Sequence, residues 1–116
     1  MKKILLLFVC LFVCWMLSAQ QRIKVACVGN SITYGTGLSD RATQSYPVKL
    51  QKLLGERYEV ENFGKPGATL LNQGHRPYTR QEEYRKALDF AGDIVVIHLG
   101  INDTAVSYTH LTLPTT

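Results

Sequence analysis

Val25-Ala26-Cys27-Val28-Gly29-Asn30-Ser31-Ile32-Thr33-Tyr34-Gly35 is the stretch on which the reading of this 116-residue chain turns. A short apolar run stops at Gly29, and a polar Asn30 and a serine follow before a second glycine at Gly35. The run reads as a fully buried strand over residues 23–28. The two glycines punctuate the turn after it. A serine placed where a parallel strand stops and a helix starts stands at the carboxyl edge of the sheet, where α/β proteins keep their ligands. The helix that follows aims its free backbone N–H groups at the same place, which suits an anion. The plainer alternative is that Ser31 merely caps that helix.

Working outward, the order of elements supports the α/β reading. Ser45-Tyr46-Pro47 opens a helix, with Ser45 as N-cap and Pro47 in the first turn. Tyr46, Leu50, Leu53 and Leu54 share one helical face, and Gly55 ends it. Tyr58 and Val60 alternate with Glu59 and Glu61, which predicts a second strand over 58–62 near the sheet edge. A glycine-rich loop covers 63–74. Thr79-Arg80-Gln81-Glu82 matches a capping box, and the helix after it sets Tyr84, Ala87, Leu88 and Ala91 on one face. The β-branched run over 94–99 predicts a third strand, central and buried. Strand, helix, strand, helix, strand argues a parallel sheet with helices on both faces.

Each strand is followed by a loop of unusual composition: Gly29-Asn30-Ser31, then Asn62-Phe63-Gly64-Lys65-Pro66-Gly67-Ala68-Thr69, then Gly100-Ile101-Asn102-Asp103. Right-handed crossovers bring the three to one edge. In flavodoxin-like order, strands two and three flank strand one and leave a crevice beside Ser31. A serine is a nucleophile once a base activates it. A glycine N–H and an asparagine amide are oxyanion donors. The chemistry of such a set is acyl transfer.

These blocks resemble those of the SGNH, or GDSL, hydrolase superfamily. Gly29-Asn30-Ser31-Ile32-Thr33 is similar to its first block, and the resemblance implies that Ser31 is the nucleophile. Gly67 aligns with the second-block glycine and Asn102 with the third-block asparagine, both oxyanion-hole donors. The implied fold is α/β, a flavodoxin-like three-layer αβα sandwich with a parallel sheet, truncated after the third strand. Asn30 stands where the family usually has aspartate. More narrowly, residues 62–70, Pro77-Tyr78 and the strand into Gly100-Ile101-Asn102-Asp103-Thr104 resemble exported bacterial carbohydrate esterases of the sialate O-acetylesterase type. The implied substrate is a small-molecule or glycan ester, with no cofactor and no metal. A lipase or thioesterase of the same superfamily, or a non-catalytic carbohydrate-binding relative, is the alternative. The family's base comes from a later Asp-x-x-His block. His75, His98 and His110 are the histidines here, and Asn72, Val95 and Ser107 occupy the places three residues before them.

The ends of the chain carry separate signals. Lys2-Lys3, an apolar run over 4–17 and Ser18-Ala19 predict a signal peptide over 1–19. The run falls short of the roughly 20 residues of a membrane span, so no stable membrane anchor is expected after cleavage, and a periplasmic or secreted location is. Removing Lys2 and Lys3 from the 13 basic residues leaves 11 against 9 acidic ones, too small an excess for a nucleic-acid surface. Cleavage also removes Cys10 and Cys14 and leaves Cys27 alone in its strand, a small buried hydrophobe. Residues 20–105 read as the N-terminal part of the hydrolase domain. Residues 106–116 match no family element and read as a translated sequencing adapter.

Overall fold

The computed structural model describes residues 1–18 and 21–105, with the side chains of 16–18 and of Ala105 left out of the description. The cleavage point expected after Ala19 and the 106–116 segment, His110 included, lie outside the described residues.

Three parallel strands form one sheet in the order β2-β1-β3: β1 (Ile23–Gly29), β2 (Tyr58–Gly64) and β3 (Ile94–His98). Gly29 pairs in register with Gly64 on one side and with His98 on the other, so all three strands stop at the same level. This is the flavodoxin-like arrangement expected from the sequence, with β2 and β3 flanking β1. Helix α1 (Lys2–Ser18) precedes the sheet, and the large apolar side chains described over residues 4–15 are exposed. No helix among the described residues is long and apolar enough to cross a membrane.

β1 is the buried centre, with Val25, Ala26, Cys27 and Val28 all enclosed. Alternation splits them between the two faces. Ala26 and Val28 pack with Phe63, Ala68 and Tyr78, against Tyr84, Ala87 and Phe90 of helix α5 (Glu82–Phe90). The rings of Phe63 and Phe90 lie 5.4 Å apart. The Tyr78 hydroxyl donates to the Phe63 carbonyl at 2.6 Å, a buried bond that contributes about 1 kcal/mol. On the opposite face, Tyr46 of helix α4 (Tyr46–Leu54) reaches Cys27, and its hydroxyl lies 3.2 Å from Thr33 Oγ1. Helices thus cover the sheet from both sides.

Several local expectations give way. β3 is not central and buried: it is an edge of this sheet, and all five of its residues are exposed. Its β-branched composition fits a covered strand, but α5 packs on β1 and β2 instead. The capping box at Thr79 does not form. Residues Tyr78–Arg80 make a 3-10 turn, Gln81 becomes the N-cap of α5, and the Thr79 hydroxyl donates to Asn72 Oδ1. Ser45 occupies the cap position of α4 but makes no capping bond. Leu53 and Leu88 are exposed, and Ala91 closes α5 in the left-handed region instead of extending its apolar face. Two short helices follow β1: α2 (Ser31–Tyr34), the helix expected after the first strand, and α3 (Arg41–Gln44), for which the sequence carried no expectation of helix.

Candidate active site

Ser31 is the first residue of α2, directly beyond the carboxyl end of the central strand. The capping role belongs to its neighbour: Asn30 Oδ1 accepts from the Ile32 N–H at 3.1 Å. That leaves the Ser31 hydroxyl free of capping, and among the described residues it has no hydrogen-bond partner. Asn30 is fully buried and donates its backbone N–H to the His98 carbonyl, while its Nδ2 has no partner among the described residues. Gly29 makes the turn possible, because a Cβ there would run into the Thr33 side chain and the His98 carbonyl.

Hydrogen bonds stitch the three strand-end loops together. The Lys65 N–H donates to the Gly29 carbonyl at 2.9 Å, joining the loop after β2 to the end of β1. Asn62 Nδ2 donates to the Thr33 carbonyl at 2.8 Å, and its Oδ1 accepts from the Gly64 N–H. Asn102 sits in a 3-10 turn, Ile101–Ala105, beyond β3, and its Nδ2 donates to the Ala68 carbonyl at 2.9 Å. An amide NH₂ has two donors, so one hydrogen of Asn102 remains available. Gly67 precedes Ala68 with φ of 76°, a left-handed conformation that favours glycine. Neither the Ser31 nor the Gly67 backbone N–H is given to another described residue. The structure therefore brings Ser31, Gly67 and Asn102 to one sheet edge on bonded loops.

The histidines behave differently. His75 is exposed in the loop after β2, and the side chain of His98, at the end of β3, is exposed as well. No hydrogen bond links either to Ser31 among the described residues. No cluster of metal-ligating side chains occurs among them. Burial pushes the Cys27 thiol above its ordinary value, partly offset by a hydrogen bond to Tyr46, so it stays protonated at neutral pH and is no rival nucleophile.

The sequence matches the GDSL-like lipase/acylhydrolase family over residues 27–114. The chain belongs to this family. The family match takes in all three strand-end loops and also runs over residues 106–114, counter to the expectation that this segment fits no family element; those residues lie outside the described part of the chain. The chain is also 48% identical, over 85 residues, to a protein named acetylxylan esterase from Xylanibacter ruminicola. The aligned part is 73% of this chain and 18% of that relative, so the chain corresponds to under a fifth of the relative's length. Three residues to which the sequence assigned no role also hold the strand-end loops. Asn62 and Asp103 carry backbone bonds between loops, and Arg76 Nη1 donates to the Pro66 carbonyl beside Gly67. For Asn62 and Asp103 the signal was an Asn or Asp in a strand-end block, a residue type that readily bonds backbone; Arg76 carried no such signal.

Proposed function

We propose that this chain is the N-terminal part of an exported serine esterase that removes acyl groups, acetyl above all, from carbohydrates. In this reading Ser31 Oγ attacks the ester carbonyl. The Ser31 and Gly67 N–H groups and the free hydrogen of Asn102 Nδ2 hold the oxyanion, the alcohol leaves, and water then releases the acyl group from Ser31. The observation that carries the reading is the meeting of all three loops at the end of β1, with Asn30 taking over the helix cap and leaving Ser31 Oγ unengaged. The likeness to a protein named acetylxylan esterase supports the acetyl and carbohydrate parts. The base is an Asp-x-x-His histidine supplied by residues beyond this chain, which accords with His75 and His98 having no bond to Ser31. Export rests on the basic start and the apolar α1.

The test is turnover of p-nitrophenyl acetate and acetylated xylan by the complete protein. Ser31→Ala is expected to remove most activity, and Asn102→Ala to lower kcat by about 10²–10³, as for single oxyanion donors. The 116-residue chain alone is expected to show no useful turnover, since a serine hydroxyl without a base is a weak nucleophile. Full activity in Ser31→Ala would end the proposal. A preference for long acyl chains over acetyl would turn it toward a lipase.

A further inference from the structure

The loop after Gly67 is held from a distance. Asp103 Oδ2 accepts the Leu70 N–H at 2.9 Å and Oδ1 accepts the Leu71 N–H at 2.7 Å, across 33 and 32 residues of chain. Asp103 is only 5% exposed, and no cation pairs with it among the described residues. Burying a carboxylate without a counter-charge is costly unless hydrogen bonds repay it, and its bonds to N–H donors are of the strong, charge-assisted kind. Solvation alone gives no reason for this expense, because Leu70 and Leu71 are themselves exposed and water could serve their N–H groups. What the carboxylate adds is position.

Its neighbour sharpens the point. Asn102, on the same 3-10 turn, bonds the Ala68 carbonyl. One turn therefore grips Ala68, Leu70 and Leu71 together, immediately after the left-handed Gly67. The upstream side is held by Arg76 on the Pro66 carbonyl and by the Ala68 N–H on the Lys65 carbonyl. A shift of the 68–71 segment would rotate the Gly67 peptide and change the pull on Asn102 at once.

We propose that Asp103 is a positioning residue: its carboxylate, by clamping the Leu70 and Leu71 N–H groups, sets the aim of the Gly67 N–H and of the Asn102 amide at the oxyanion. This rests on the reading of Ser31, Gly67 and Asn102 given above. Asp103→Asn is the decisive variant. It keeps the shape but turns one acceptor into an NH₂ facing an N–H, so one of the two bonds becomes donor against donor.

The experiment is steady-state kinetics of the complete protein on p-nitrophenyl acetate, with Ser31→Ala alongside. Asp103→Asn is expected to lower kcat by about 10- to 100-fold, below the loss of a whole oxyanion donor, with KM changed by less than about threefold. Hydrogen exchange at Leu70 and Leu71 is expected to speed up in the variant while the β1 amides stay protected. An unchanged kcat, or a loss carried by KM, overturns the proposal. So does β1 exchanging faster along with the loop, since that marks Asp103 as a support of the whole fold. Should Asp103→Asn not fold, Asp103→Ser is measured by the same criteria, and failure of both to fold also overturns it. If Ser31→Ala stays active, the underlying reading has failed, independently of Asp103.

Discussion

At Gly29 the backbone of β1 passes so close to Thr33 and to the end of β3 that a side chain has no place to go. The obstructing atoms include the His98 carbonyl, which also accepts the Asn30 N–H. Relief would mean moving β3 or opening the first turn of α2. Gly29→Ala is therefore expected to destabilise the complete protein by about 3 kcal/mol, the upper end of ordinary overpacking, and to displace Ser31. Denaturant unfolding measures the first effect. Kinetics of the folded fraction measures the second, as a loss of kcat larger than the loss of folded protein. Asn30 contributes in another way, by taking the Ile32 N–H as cap and so releasing the serine next to it.

At the scale of elements, the sheet is locked to its helices by groups that resist ionisation. Burial raises the Tyr78 hydroxyl well above the ordinary 10.0 of a phenol, and the nearby Glu83 carboxylate adds to the shift. Burial likewise raises Tyr46 and Cys27, the latter from an ordinary 9.0, on the other face. In each case the folded state holds its proton more tightly than the unfolded chain does. Their contribution is complete below about pH 9 and falls as pH rises through and beyond the ordinary values. The melting temperature of the complete protein is expected to hold level from neutral pH to about pH 9 and then drop. Tyr78→Phe is expected to cost about 1–2 kcal/mol at pH 7, from the lost bond to the Phe63 carbonyl, and to flatten the alkaline fall. A fall equally steep in the variant would show that other groups drive it.

At the scale of the whole molecule, one side of the sheet is uncovered among the described residues. β3 is the edge of the described sheet, and Ile94, Val95, Val96 and Ile97 are all exposed, Ile97 at 65%. A flat, apolar, unpaired strand is a template for pairing with another chain. The purified 116-residue chain is expected to aggregate at micromolar concentration. Val95→Lys with Ile97→Lys, two residues apart and so on one face, is expected to raise the soluble fraction severalfold. Light scattering after size exclusion decides it: a clean monomer of the unaltered chain with a cooperative melt would contradict this view.

The sequence by itself determined the α/β class, the parallel order of the strands and the three loops that meet at Ser31. Those follow from short-range signals: apolar runs of strand length, glycines at turns, and the one hand that βαβ crossovers adopt. It placed the burial of β1 correctly but not the exposure of β3, because an apolar run states what a strand can tolerate and not what covers it. β1 and β3 have similar composition, yet only β1 lies between two neighbours with helices on both faces. The Thr79 capping box failed for a similar reason. Its hydroxyl found Asn72 in a folded loop, a partner that local spacing does not reveal. Only the tertiary structure showed that Asp103 and Asn102 reach back more than 30 residues to hold the loop behind Gly67. Bonds of that span depend on where the chain returns in space, and no pattern within one window of sequence encodes that.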